Sequence, residues 1–200
     1  MAKLGELTSP VSSGKPDPRT LVPTCNVAWE KYGSKVTAVI TLRDVKTCKL
    51  GETQRIQLRP LTNLLCPVEA IKRQLAACRA INSPTLFSYG DRNGVVTHLT
   101  KDIVNRTLQV VWEQGGFQNL TGHSVRVGGA SLRYAMEIKT QEICKISQWT
   151  SNCYELYMRV YSKEEKDESV DLMAKLDQLW ETEGQGDSNY GLKPKDVGTN

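Results

Sequence analysis

The stretch TGHSVRVGGAS, residues 121–131, sets an imidazole and a guanidinium three positions apart. On a helix, residues i and i+3 share a face, so His123 and Arg126 can address one ligand. Gly128 and Gly129 leave that side uncrowded. Further along, SQWTSNCYELYMR (147–159) carries Trp149, Tyr154 and Tyr157, and Tyr161 follows closely. Upstream, Lys46 stands between Val45 and Thr47 in a turn that separates two strand-like runs. A guanidinium, an imidazole, an ammonium, an indole N–H and a phenol together suit a phosphodiester. The cations and N–H donors neutralise the non-bridging oxygens as charge builds on them. A tyrosine oxygen can attack phosphorus and leave a covalent intermediate. A lysine on a hairpin turn can protonate the departing alkoxide. Such chemistry requires no metal, and the sequence offers no carboxylate cluster to hold one. Singly these residues are ordinary: a histidine near a helix start caps it, a tryptophan fills a core, a turn lysine is solvated. The order and spacing of the set carry the reading.

The elements that must position these residues follow from period and punctuation. Residues 8–20, TSPVSSGKPDPRT, read as a loop. Residues 21–32 and 35–45 read as two strands of a hairpin turned at Gly33-Ser34. In the second, Val36, Ala38 and Ile40 alternate with Thr37, Val39 and Thr41, giving one apolar and one mixed face. A turn over 46–52 leads to a third strand at 53–60. The period then becomes helical. Pro67 suits the first position of a helix over 67–80, with Val68, Ile71 and Leu75 on one side. Thr100 caps a helix that ends at Gly115-Gly116. The opening stretch reads as a helix, residues 139–149 as a short one, and residues 151–162 as another capped by Ser151 or Asn152. Val170, Met173, Leu176 and Trp180 mark a last amphipathic helix over 164–181. The expected class is α+β, dominated by helices, with a small three-stranded antiparallel sheet. The expected organisation is a folded domain over 1–162, a C-terminal helix over 163–182 and a disordered tail over 183–200.

Composition bounds the rest. Two hundred residues, 39% hydrophobic and 24% charged, suffice for one sizeable domain with a tail. No window is long and apolar enough for a bilayer, and the N-terminus lacks a signal-peptide plan. Six cysteines (25, 48, 66, 78, 144 and 153) show no C-x-x-C spacing, so reduced thiols inside a cell are expected. Charge is uneven: residues 1–160 hold 21 Lys and Arg against 12 Asp and Glu, whereas residues 161–200 hold 5 against 10. A basic body with an acidic end suits a domain that binds polyanions.

At this point the chain resembles a known family: the catalytic domain of tyrosine recombinases and integrases, in the branch carried by fungal mobile elements of the Crypton and DIRS-like types. TGHSVRVGGAS is similar to the family's His-x-x-Arg motif. ISQWTSNCYELYMR is similar to its Gly-Arg-Trp-Ser-Ser-Asp-Ala-Phe/Tyr-x-x-Tyr pattern, and LRDVKTCKLGE to its Pro-x-Thr-Lys-Thr hairpin with the Gly-Glu that follows. The likeness runs from about residue 2 to about residue 162. It implies the tyrosine-recombinase fold, with Tyr157 as nucleophile and Tyr154 at the aromatic position before it. It implies that Arg126 and His123 hold the scissile phosphate, that Trp149 donates its indole N–H, and that Lys46 is the general acid on the leaving 5′-oxygen. The implied activity is DNA cleavage and rejoining (DNA integration and recombination) through a 3′-phosphotyrosine. The implied partners are double-stranded DNA and copies of the chain in a tetrameric synapse, reached through the C-terminal helix. No cofactor and no membrane enter, and a nuclear location follows from a chromosomal substrate.

Two motifs depart from the family. Its other active-site arginine, in Ala-Arg-Leu-Gly-Glu-Leu, is matched here by AKLGELT, which puts Lys3 at that place. Lysine keeps the charge but loses the fork that grips two phosphate oxygens. Ser147-Gln148 replaces the Gly-Arg before Trp149. The resemblance also implies helices and a DNA-clamping domain ahead of Lys3, so the chain is expected to be an N-terminally truncated form with impaired activity. The alternative is a catalytically inactive remnant, or a co-opted DNA-binding protein.

Overall fold

In the computed structural model the described residues are 3–14, 17, 20–43, 52–147, 149, 152–156 and 158–183. The expected turn at 46–52 with Lys46, the nucleophile position Tyr157, and the end of the chain from residue 184 lie outside them.

A three-stranded antiparallel sheet forms one half of the body, in the order β1 (Val27–Tyr32), β2 (Lys35–Arg43), β3 (Thr53–Leu58). Gly33, with φ +62°, makes the two-residue turn between β1 and β2; that left-handed conformation suits a residue without a Cβ. The first strand starts at Val27 rather than at residue 21. A 3₁₀ turn over Thr24–Asn26 follows the extended Pro23 and tucks the chain in before pairing begins. Register aligns Ile40 with Val27 on one side and Ile56 on the other. Ala38, Ile40 and Leu42 then meet Val22, Ile71 and Leu86 in the main core, with Val27, Ile56 and Leu58 packed around it. On β2 the mixed face is covered as well as the apolar one: Thr37 and Val39 are as deeply buried as Ala38 and Ile40.

Helix α1 (Leu4–Leu7) precedes the sheet, and α2 (Pro67–Ala80) follows it, with proline at its first position. Val68, Ile71 and Cys78 of α2 are buried. Next comes a short hairpin absent from the sequence reading, β4 (Ser88–Gly90) against β5 (Val96–His98). Its turn is built by Asp91, whose carboxylate accepts the amides of Asn93 and Val95 at 2.8 Å each, and by Gly94 at φ +74°. Beneath it, the Ser88 hydroxyl contacts His98 Nδ1 at 2.9 Å and also meets Thr85. Helix α3 (Lys101–Gln114) is capped by Thr100, which accepts the Ile103 amide at 3.2 Å.

Helices α4 (Gly122–Ala135) and α5 (Thr140–Ser147) pack together. The expected helix over 151–162 is corrected to a 3₁₀ turn, Asn152–Leu156. Beyond it Met158 still donates to the Tyr154 carbonyl at 2.9 Å, but the Arg159 amide goes to the Ser131 hydroxyl of α4 at 2.9 Å, which takes the chain out of helical geometry. Helix α6 (Lys163–Glu183) closes the described chain and lies against α4. The molecule is therefore α+β, with six helices and the small antiparallel sheet among the described residues. None of those helices is long and apolar enough to cross a membrane.

Candidate functional site

Helix α4 is set by its cap. The Thr121 hydroxyl accepts the His123 amide at 3.2 Å, and the Ser124 hydroxyl reaches back to the Thr121 amide at 3.0 Å. This reciprocal arrangement fixes the first turn. His123, in that turn, is exposed. Arg126, one turn on, is only 8% exposed. The two residues expected to share one helix face therefore differ in exposure, His123 reaching solvent and Arg126 lying inside.

Burying a guanidinium is costly unless its donors and charge are met. Arg126 Nη2 donates to the backbone carbonyl of Ser147 at the end of α5. Its guanidinium carbon also lies 5.4 Å from the centroid of the Trp149 ring, an arrangement in which the π face attracts the cation. Trp149 is half-buried, and its amide donates to the Cys144 carbonyl at 3.0 Å, so the residue hangs directly from α5. Ile143 and Ser147, both fully buried, seat α5 beneath it. The sequence-predicted pair Arg126 and Trp149 is brought together by this packing.

The fourth described candidate approaches from the other end of the chain. A Cβ built on Gly122 would stand 3.1 Å from the Leu4 side chain and 3.2 Å from Asn105 Oδ1. The absence of a side chain at Gly122 therefore lets α1 and α3 close on the start of α4. Lys3, which caps α1, sits one residue from that contact. Its ammonium lies 3.8 Å from Glu6, and its amide donates to Glu6 at 2.8 Å. Ser9 extends this anchorage, its amide donating to the Leu99 carbonyl at 2.8 Å.

Two polar atoms that the sequence reading did not single out lie in this region. Glu6 Oε1 and Asn105 Oδ1 are buried and accept no hydrogen bond from the described residues. Glu6 had a signal in its spacing, three residues after Lys3 on a short helix; Asn105, inside α3, had none. Lys46 and Tyr157 lie outside the described residues, so the geometry bears on four of the six expected positions: Lys3, His123, Arg126 and Trp149. Around Tyr157, Tyr154 is half-buried and Leu156 is 85% exposed. Among the described residues no group of three His, Cys, Asp or Glu side chains is placed to hold a metal ion.

Chemically, the arrangement offers a desolvated guanidinium backed by an indole and held by the Ser147 carbonyl, with an exposed imidazole one turn earlier on the same helix. Cationic and N–H donor groups of these types favour an anion over a cation. No family model, no curated protein and no solved structure matches the chain.

Proposed function

We propose that the chain is a DNA-processing domain of the tyrosine-recombinase kind, which cleaves and rejoins duplex DNA through a 3′-phosphotyrosine. Its substrate is double-stranded DNA and its expected place is the nucleus. In this reading the Tyr157 oxygen attacks the scissile phosphorus, the bond from phosphorus to the 5′-oxygen breaks, and Lys46 protonates that leaving oxygen. Arg126, His123 and Lys3 bear the charge on the non-bridging oxygens, and Trp149 steadies Arg126 while offering its indole N–H. Rejoining runs the same steps backwards with a 5′-hydroxyl as nucleophile. The observation that carries the reading is the Arg126–Trp149 contact on the helix that presents His123, because those three residue types were expected together from their order in the sequence. The closeness of Leu4 to Gly122 adds support, since it brings the Lys3 end of the chain to the same helix start.

The second reading, a DNA-binding protein without catalysis, is favoured by one specific feature. Lys3 replaces a bidentate donor, and losing one such donor costs on the order of 10²–10³ in rate. Both readings are tested by incubating the protein with random-sequence duplexes, denaturing, and sequencing whatever DNA stays covalently attached. Adducts that vanish in Tyr157→Phe establish the strand-transfer reading. Salt-dependent binding without adducts establishes the second, and neither binding nor adducts defeats both.

A further inference from the structure

We propose that α6 is an acidic strap that holds the molecule closed against polyanions, and that duplex DNA displaces it; this rests on the DNA-binding reading above. The helix carries three lysines against eight carboxylates, a net −5, whereas residues 1–160 carry a net +9. It is seated lightly. None of its described side chains is buried, and Val170, Leu172 and Leu179 are 46%, 60% and 46% exposed. Polar contacts at its two ends hold it instead. Near the C-terminal end, the Asp177 carboxylate accepts the Thr62 hydroxyl at 3.1 Å and the Asn63 amide at 2.9 Å, across more than 110 residues of chain. Near the N-terminal end, Glu165 pairs with Arg159, and Lys166 lies 3.7 Å from Glu137 beyond the end of α4.

The pair Glu165–Arg159 is the one that bears on DNA. Arg159 stands two residues after Tyr157, and its amide is tied to α4 through Ser131. A carboxylate on that guanidinium occupies a cation that a phosphate of bound DNA would use. Exposed ion pairs of this kind are weak and screened by salt, so a duplex can replace the Glu165 carboxylate with a phosphate. The helix, strongly negative, is then repelled from the bound DNA. Only the opened fraction of molecules is free to bind, so the apparent affinity is lowered by that fraction.

The test is a pair of variants of the full chain. Thr62→Val with Asn63→Ser loosens the far latch without changing charge, and serine keeps an oxygen for the Leu65 amide that Asn63 now accepts at 3.0 Å. This variant is expected to bind duplex DNA roughly 3- to 10-fold tighter at low salt, and to be cut faster by trypsin at Lys175. Glu165→Gln, which keeps a capping residue at its position, is expected to tighten binding more than Glu168→Gln, the same loss of charge at an exposed position on the same helix. Equal DNA affinities in wild type and latch variant, or equal effects of the two glutamine variants, overturn the strap and leave the DNA-binding reading standing. Absence of DNA binding in every form overturns both.

Discussion

The guanidinium of Arg126 lies over the indole of Trp149, 5.4 Å from the ring centroid, with the Ser147 carbonyl accepting one of its N–H groups. Residues 126 and 149 meet because α4 and α5 pack as a pair, and Trp149 follows α5 directly. The contact separates a π-face role for Trp149 from simple filling of space.

Trp149→Phe, which keeps a ring under the cation, should cost under about 1 kcal/mol of stability. Trp149→Ala removes both ring and packing and should cost about 2 kcal/mol. Urea unfolding of the two variants measures the difference. Equal losses would mean that Arg126 gains nothing from the ring.

Two glycines of α4 should respond with opposite signs. A Cβ on Gly128 meets nothing within 4 Å among the described residues, so Gly128→Ala should stabilise by roughly 0.5–1 kcal/mol through helix propensity. On Gly122 the new carbon presses on Leu4 and Asn105 at 3.1 and 3.2 Å. Gly122→Ala should therefore be neutral or lose up to about 1 kcal/mol, despite the same gain in propensity. Thermal unfolding decides; a stabilised Gly122→Ala would show that α1 does not close on α4.

Duplex DNA affinity should be micromolar or weaker at physiological salt and should fall steeply as salt rises, as non-specific phosphate contacts do. The slope of log affinity against log salt measures it, and a flat line would remove DNA from the account. Because Arg126 is buried against Ser147 and Trp149, Arg126→Glu tests folding as much as binding. His123→Ala is the cleaner probe, since the residue is exposed and its loss should weaken cleavage with less effect on the fold.

If adducts form at Tyr157, Lys3→Arg should raise their rate by on the order of 10². The bidentate fork is restored at a position that Leu4 and Gly122 hold close to α4. No gain from Lys3→Arg would mean that residue 3 does not reach the phosphate.

Helix α6 should be best ordered between two limits of pH. The backbone amide of Glu164, and after it the Ser162 hydroxyl, hold the Glu164 carboxyl below its usual 4.5. A lowered carboxyl contributes above its unfolded value, and the contribution fades as pH falls through 4.5 and beyond. The hydrogen bond from Lys175 to Asp171, and then their attraction, raise the lysine above 10.5. A raised lysine contributes at lower pH and loses its effect as pH climbs past 10.5. Circular dichroism at 222 nm should report fraying at both ends of this range, and a helix signal flat through both limits would contradict it.

Helix starts were legible where local chemistry sets them. Pro67 takes the first position of α2, and Thr100 caps α3 by accepting the Ile103 amide. The alternation in β2 was legible, but the two-sided cover of that strand was not, because alternation records which residues share a face and not whether that face is covered. The hairpin at Ser88–His98 escaped because three-residue strands show no period, although Asp91 and Gly94 in D-R-N-G announce its turn. The helix over 151–162 failed for a tertiary reason: Ser131, 28 residues upstream, takes the amide of Arg159. The candidate site follows the same division. Residue types and order picked out His123, Arg126 and Trp149, and Lys3 came only through the family resemblance, while the inward turn of Arg126 and the buried oxygens of Glu6 and Asn105 depend on packing that no local pattern records.

The two-sided burial of β2 has a kinetic counterpart. Amide hydrogens of Ala38–Leu42 can exchange with solvent only when the molecule opens as a whole, so they should report its global stability. Those of α3 and α6, helices without a buried side chain among the described residues, need only local opening. Native-state exchange would thus grade the chain from a slow sheet to fast outer helices. Arg126, buried in a helix that touches α6, falls on the boundary between the two regimes.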